Sequence, residues 1–169
     1  AGIKDLIINT HWLAEQIPEA LGSGEKWGLT IHYSYEPELL ETAGGIRQVL
    51  KFLVDDDSET FLLINGDVYF DWDLSEWLKK SQSLIKDKQA FLALVPNPQH
   101  HLEGDFCFHN QAPVLSLKES TNDQSFTYSG LGLYRGSLFS KFAEGYRPLG
   151  PLLKEAIAKQ SITGEVESA

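Results

Sequence analysis

Asn65-Gly66-Asp67 are the residues whose types and spacing most suggest chemistry, because they directly follow the apolar run Phe61–Ile64. If that run is a central strand of a parallel sheet, its carboxyl end is where doubly wound α/β proteins bind ligands. Gly66 would let the backbone approach a ligand closely, and the Asp67 carboxylate is a hard oxygen ligand suited to Mg²⁺. Asn-Gly is also a strong hairpin signal. The stretch alone therefore leaves a ligand site, a hairpin and a plain strand-ending turn as alternatives.

A second stretch, Glu36–Ile46, reads EPELLETAGGI and leads from a predicted strand into a predicted helix. Glycines at the beginning of a helix expose backbone N–H groups, which favour anions and the polar edges of ligands. Glu36 and Glu41 could accept N–H groups from a nucleobase, and Thr42 could cap the helix. An ordinary capped helix that begins in an acidic loop explains the same residues.

A third stretch, Asn97–Phe106, reads NPQHHLEGDF. Its two histidines are adjacent, so they do not share a face for chelation, and no third ligand has suitable spacing for a metal. Gly104-Asp105, just before the next predicted strand, is a better candidate for ligand contact, and a surface loop is the competing interpretation. Cys107, the only cysteine, is expected in the core, and a single cysteine is typical of a protein of the reducing cytoplasm.

The elements that must position these stretches alternate between strands and helices up to about residue 95. This order predicts an α/β fold with a mainly parallel sheet covered on both faces. Short strands then indicate an antiparallel excursion before a last helix and strand. Pro18 predicts a kink in the first helix or a helix in two parts. The predicted strands are Asp5–Thr10, Leu29–Tyr35, Phe61–Ile64, Ala90–Val95, Phe106–Phe108, Val114–Leu117, Phe126–Tyr134 and Ile162–Val166. The predicted helices are Trp12–Leu21, Ala43–Val54, Leu74–Ile85, Leu138–Phe142 and Pro151–Lys159.

Composition is that of one ordinary globular domain, with 169 residues, 42% of them hydrophobic and 22% charged. The formal net charge of −10 argues against nucleic-acid binding, which needs basic surfaces. The same charge is unfavourable for phosphorylated ligands. A phosphate site would therefore need a metal ion, backbone N–H groups or basic residues from outside these residues.

Taken together, the motifs resemble the sugar-1-phosphate nucleotidylyltransferase family, most closely its N-acetylmuramate-1-phosphate uridylyltransferase branch. The resemblance implies a Rossmann-like three-layer α/β/α fold with a mixed, mainly parallel sheet. It also implies Mg²⁺-dependent transfer of UMP from UTP to a sugar 1-phosphate, with release of pyrophosphate, in cytoplasmic recycling of cell-wall peptidoglycan. The segments that carry it, in chain order, are INTHWLAEQI, LTIHYSYEPELLETAGGI, FLLINGDVYFDWD, NPQHHLEGDF, TYSGLGLYR and LGPLLKEAI.

The resemblance also assigns roles residue by residue. Asp67 is implied to be the metal ligand and catalytic residue. The residues implied to bind the nucleotide are Glu36, Glu41, Thr42, Gly44, Asn65 and Gly66. Those implied to contact the sugar are Gly104, Glu119, Ser129 and Gly130.

Three parts of the family pattern are not found among the 169 residues: the G-x-G-x-R loop, the following P-K-P segment, and a D-V-G motif near the carboxyl end. The chain also begins at Ala1 and contains no methionine. We therefore expect residues 1–169 to form a single nucleotidyltransferase domain truncated at both ends and nearly inactive alone. An absent first strand would leave an exposed sheet edge through which the chain could self-associate.

Three alternatives remain. A carboxylate accepts the uracil N3–H but suits the guanine N1–H and N2–H pair better, so a mannose-1-phosphate guanylyltransferase-like enzyme competes with uridylyl transfer. A non-catalytic nucleotide- or sugar-phosphate-binding module would keep the pocket without the chemistry. A receiver-like signalling domain also places acids at strand ends, but the chain shows no acidic pair after a first strand.

Overall fold

The computed structural model describes residues 2–108, 114–117 and 124–167, with strands and helices close to the predicted ones. The strands are β1 (Asp5–Thr10), β2 (Thr30–Tyr35), β3 (Thr60–Ile64), β4 (Ala90–Val95), β5 (Phe106–Phe108), β6 (Leu115–Ser116), β7 (Ser125–Arg135) and β8 (Ile162–Val166). The helices are α1 (Gln16–Leu21), α2 (Glu41–Leu53), α3 (Leu74–Ile85) and α4 (Leu149–Ala158). Short 3₁₀ helices span Glu25–Trp27 and Gly136–Leu138.

The strands form a parallel β1–β2 pair and a mixed six-stranded sheet of order β6-β5-β7-β4-β8, in which β3 also pairs with β7. Because β7 lies between β3 and β4 and is antiparallel to both, direct parallel pairing is limited to β1–β2 and β4–β8 within the described ranges. β3, β4 and β8 nevertheless run in the same direction. Their carboxyl ends therefore lie at one edge of the sheet, hereafter the carboxyl edge.

The expectation of a mixed sheet in an α/β fold is confirmed, but only two of the six strand pairings in the described residues are parallel, so the sheet is not mainly parallel in its pairing. The hairpin alternative at Asn65-Gly66 is wrong. β3 pairs with β7, some 70 positions along the chain, and the element that follows the turn is α3. Which strands become neighbours depends on contacts far apart in sequence, and the order of elements alone does not show them.

Two helix predictions need correction. The first helix begins only at Gln16, so Pro18 lies in its first turn, where the missing N–H breaks no helical bond and no kink is needed. The range Leu138–Phe142 was predicted as a helix, but the structure has a 3₁₀ turn over Gly136–Leu138 instead. By contrast, α3 has its predicted bounds, and its N-cap residue Asp73 accepts bonds from the next turn.

β4 is the centre of the core, and its residues alternate between the two faces of the sheet. Ala90, Leu92 and Leu94 join the main cluster with residues of α2 and α4, whereas Phe91 and Ala93 join a second cluster under α3. All five side chains are fully buried. The sheet is therefore covered on both faces, as expected for three layers, and Cys107 is buried as predicted. No helix in the described part of the chain is long and apolar enough to cross a membrane.

Candidate active site

The turn that follows β3 holds Asn65 against β7 and leaves Asp67 exposed at the carboxyl edge. The Asn65 N–H donates to the Gly130 carbonyl at 2.9 Å. Gly130 has φ +84°, and a Cβ there would lie 2.9 Å from both Asn65 Nδ2 and the Val68 side chain. Glycine at position 130 thus allows the turn to pack on β7. The structure brings Asn65 and Gly130 together, and a sugar contact by Gly130 stays a prediction.

Ser129, predicted to contact a sugar, lies where the pairing of β4 with β7 shifts register between Leu92 and Leu94. Its hydroxyl donates to the Ala93 carbonyl at 2.8 Å and accepts the Leu131 N–H at 3.2 Å. The side chain therefore satisfies backbone groups that the interrupted ladder leaves unpaired. A sugar contact by Ser129 stays a prediction, and Glu119 lies outside the described residues.

The 97–105 loop is tied to the beginning of β7 by polar side chains. Asn97 Nδ2 donates to the carbonyls of Leu102 and Ser125, each at 3.1 Å. A Cβ at Gly104, which has φ +60°, would lie 2.5 Å from Asn97 Oδ1. Asp105 accepts the Tyr128 N–H at 2.8 Å. The glycine therefore lets this network close, and these bonds hold the loop against the beginning of β7.

Glu36 is only 5% exposed, and its carboxylate is used inside the protein. Oε1 accepts from Asn9 Nδ2 at 2.8 Å, and Oε2 accepts the Leu40 N–H at 3.1 Å. The His11 ring also bonds the Glu36 carbonyl through Nδ1 at 2.7 Å. Glu36 therefore positions the segment that enters α2. The sequence interpretation missed Asn9 as its partner, although an asparagine at the carboxyl end of β1 was the available signal.

The beginning of α2 differs from the predicted capped, glycine-exposing start. The N-cap residue is Leu40, without a side-chain cap bond, so the prediction that Thr42 caps the helix is wrong. Gly44 and Gly45 are buried, because the chain packs closely on both. A Cβ at Gly45 would lie 2.5 Å from Glu36 Oε1, and the Gly44 N–H donates to Arg147. This turn therefore does not offer exposed glycine N–H groups to a ligand.

Glu41, in contrast, is held in an unusual conformation next to these glycines. It is half-buried and has φ +61°, in the left-handed region that residues other than glycine seldom adopt. Strained residues of this kind are concentrated at functional sites. Glu41 follows β2 of the two-stranded sheet, whereas Asp67 follows β3 of the six-stranded sheet. The helix α2 lies between β2 and β3 in the chain, and its buried face packs in the main core.

Asp67 is an exposed carboxylate, and its role as a magnesium ligand stays a prediction. No group of three or more His, Cys, Asp or Glu side chains there is arranged to hold a metal ion. Mg²⁺ in phosphate-transferring proteins usually takes one or two carboxylates and completes its shell with water and substrate phosphates. An exposed carboxylate on a glycine turn at the carboxyl edge meets that requirement.

Comparison with known proteins decides the family. Residues 1–152 match the model of the nucleotidyl transferase family. The chain belongs to the nucleotidyl transferases. It is 38% identical over 168 residues to N-acetylmuramate alpha-1-phosphate uridylyltransferase of Neisseria meningitidis, covering 98% of this chain and 70% of that protein. It is 34% identical over 143 residues to D-glycero-alpha-D-manno-heptose 1-phosphate guanylyltransferase of Campylobacter jejuni, covering 84% of this chain and 60% of that protein.

Solved structures place this nucleotidyl transferase in the expected fold. The crystal structure of HddC from Yersinia pseudotuberculosis superposes with a TM-score of 0.72 at 16% identity, covering 99% of this chain and 71% of that chain. The same protein complexed with GMP-PN gives 0.70 at 15% identity, covering 95% and 68%. The Rossmann-like α/β expectation is therefore confirmed.

The nucleotidyl transferase also carries an ionisable cluster that the sequence interpretation missed. Glu165 and Glu167 lie two residues apart at the end of β8, so they share a face of the strand. Burial, a hydrogen bond with Glu165 and the Glu165 charge raise the pKa of Glu167 to about 7. Lys80 of α3 pairs with Glu165, and that bond raises the pKa of Lys80. Alternating acids in an otherwise buried strand were the available signal.

Proposed function

We propose that this nucleotidyl transferase transfers UMP from UTP to a sugar 1-phosphate, forming a UDP-sugar and releasing pyrophosphate. The observation that carries the proposal is 38% identity across 98% of the chain to a uridylyltransferase. The position of Asp67 on an exposed turn at the carboxyl edge supports it, because ligands of open α/β sheets bind there. The chain spans 70% of that relative, so the activity is proposed for the full-length protein.

In the proposed reaction, an oxygen of the sugar phosphate forms a bond to the α-phosphorus, and the bond from that phosphorus to the β-phosphate oxygen breaks. The transfer needs positioning and electrostatic stabilisation rather than a covalent nucleophile. Asp67 would hold Mg²⁺, which when bound would supply positive charge that neutralises the phosphates. Asn65 and Gly66 line the same turn, where an exposed backbone leaves room for the phosphates and ribose.

In this proposal, the Glu41 carboxylate selects the base of the nucleotide. The Glu36 carboxylate is already bonded to Asn9 and Leu40, whereas Glu41 is half-buried at the beginning of α2. A carboxylate at Glu41 accepts the uracil N3–H. The same carboxylate would accept the guanine N1–H and N2–H pair. Guanylyl transfer is therefore the second candidate, favoured by 34% identity to a guanylyltransferase.

We further propose that the protein acts in the cytoplasm, in recycling of cell-wall sugars, as the uridylyltransferase resemblance suggests. Self-association through a sheet edge is a separate proposal. Its support is that β3 hydrogen-bonds along one edge only, to β7, within the described residues. An unpaired strand edge presents N–H and C=O groups that can pair with another chain. Sedimentation over a range of protein concentrations tests it.

Calorimetric titration tests the proposed reaction. The chain, and a version extended at both ends, are titrated with UDP-N-acetylmuramate and a GDP-sugar, with and without Mg²⁺. Tight Mg²⁺-dependent binding of the UDP-sugar, with turnover by the extended version, is the expected result. Preference for the GDP-sugar makes guanylyl transfer correct instead. Binding without turnover by the extended version indicates a non-catalytic module, and binding of neither ligand refutes the proposal.

A further inference from the structure

The beginning of α2 is held by a distant segment, residues 142–147, which we call the docking segment. The Arg147 N–H donates to the Leu40 carbonyl at 2.8 Å, and the Gly44 N–H donates to the Arg147 carbonyl at 3.1 Å. Leu40 and Gly44 lie one helical turn apart. One residue of the docking segment therefore bonds to both ends of the first turn of α2, the turn that contains Glu41 and Thr42.

Two glycines make this approach possible. Gly145 has φ +128°, a conformation that residues with a side chain rarely adopt. A Cβ at Gly44 would lie only 2.3 Å from the Gly145 carbonyl oxygen and 3.1 Å from the Arg147 nitrogen. A side chain at position 44 would therefore push the docking segment away from the helix.

Side-chain contacts also hold Phe142 and Glu144, at the other end of the docking segment, against α2. Arg47 of α2 donates through Nε to the Phe142 carbonyl at 2.9 Å, and its guanidinium lies 3.6 Å from Glu144. The Arg147 guanidinium stacks over the Phe142 ring at 4.3 Å from the centroid. The Arg47 pair with Glu144 is partly exposed and weak, so the backbone bonds of Arg147 and the Arg47 bond to Phe142 carry the attachment.

We infer that Arg147 is a positioning residue for the nucleotide: through its backbone N–H and carbonyl, it fixes the Leu40–Gly44 turn that presents Glu41. The inference rests on the proposed function, because it assumes that this turn faces the nucleotide. The turn is then held from two sides, by the Glu36 carboxylate on the Leu40 N–H and by Arg147 on the Leu40 carbonyl. Loosening the docking segment should weaken nucleotide binding more than sugar phosphate binding.

The test compares Gly145→Ala with Gly22→Ala. Both glycines have positive φ, +128° and +58°, and a Cβ at either would meet nothing within 4 Å. Alanine at either position therefore adds backbone strain without a steric clash, but only Gly145 belongs to the docking segment. A third variant, Arg47→Met, removes the donor to the Phe142 carbonyl and leaves every glycine intact. It keeps the inference testable if Gly145→Ala does not fold.

Dissociation constants are measured calorimetrically for UTP, GTP and N-acetylmuramate 1-phosphate in the presence of Mg²⁺, in the full-length protein. The expected result for Gly145→Ala is a roughly tenfold weaker affinity for the preferred nucleotide, because small misplacements of a binding group are costly. Sugar phosphate affinity should stay within about twofold of the wild type. Amide hydrogen exchange at Gly44 should accelerate in this variant and in Arg47→Met, and remain unchanged in Gly22→Ala.

The outcomes separate the inference from the proposed function. If the wild type binds nucleotide and Gly145→Ala and Arg47→Met bind it as tightly as Gly22→Ala does, the inference is overturned and the proposed function stands. If Gly145→Ala and Arg47→Met weaken nucleotide and sugar phosphate affinity equally, the docking segment has only a general structural role and the inference fails. If the wild type binds neither UTP nor GTP, both fail.

Discussion

Replacing Glu36 by alanine should destabilise the fold substantially. The substitution removes a buried carboxylate that accepts from Asn9 Nδ2 and from the Leu40 N–H. A net hydrogen bond to a charged acceptor stabilises by about 1.5–3 kcal/mol, and buried donors left without an acceptor add to the loss. Allowing for non-additivity of two bonds to one carboxylate, we expect about 3 kcal/mol. For a chain of this size that corresponds to a fall in Tm of about 6–12 °C.

Urea unfolding followed by tryptophan fluorescence measures the change, with Glu38→Ala as the matched control. Glu38 is exposed in the same segment, and its replacement should change stability by no more than about 0.5 kcal/mol. Glu36→Gln should lie between the two, since the amide keeps one acceptor but turns an N–H₂ group toward one of the two donors.

A double-mutant cycle with Asn9→Ala then isolates one bond, for which we expect a coupling of about 1 kcal/mol. A loss for Glu36→Ala no larger than that for Glu38→Ala would refute the reasoning, because the carboxylate would then not be a buried structural acceptor.

Three further predictions follow from the site. Asp67→Asn in the full-length protein should fold normally but lose at least about 100-fold in turnover, and near-normal Mg²⁺-dependent turnover would exclude Asp67 as the metal ligand. Gly130→Ala should cost about 1–3 kcal/mol in urea unfolding, because it combines φ +84° with contacts of 2.9 Å to Asn65 and Val68; the control Gly150→Ala, where a Cβ meets nothing within 4 Å, should be nearly neutral. The pKa of Glu167 is raised to about 7 from an ordinary 4.5, so the folded state binds more protons than the unfolded state between these pH values. The contribution of Glu167 to the free energy of unfolding is therefore complete below pH 4.5 and is lost as the pH rises through 7. Solvent screening reduces it to roughly 1 kcal/mol, and Glu165→Gln should flatten the pH profile of stability; an unchanged profile would contradict the coupling.

The sequence pattern was sufficient to predict an element wherever the residues of that element determine its structure. The bounds of β4 and α3 were predicted to the residue, because β4 is a short run of buried apolar residues and Asp73 caps the first turn of α3. The Asn65-Gly66-Asp67 turn at the carboxyl end of β3 was also predicted, since a glycine turn after a strand is a local signal. The family resemblance, confirmed by comparison, added roles that propensity and periodicity do not contain.

Pairing between distant segments was decided only by tertiary structure. Nothing local to Phe126–Tyr134 shows that this strand enters between β3 and β4. Nothing in EPELLETAGGI shows that Glu36 turns inward to Asn9, or that Gly44 is bare because Gly145 approaches it. The physical reason is that hydrogen bonding and close packing link groups 27 to about 100 residues apart, whereas sequence periodicity reports only which face of an element is buried. The sequence therefore determined most of the elements and the carboxylate of Asp67 at the end of β3, and the packing of the folded chain determined which side chains, such as Glu36, are used inside the protein to hold neighbouring segments in place.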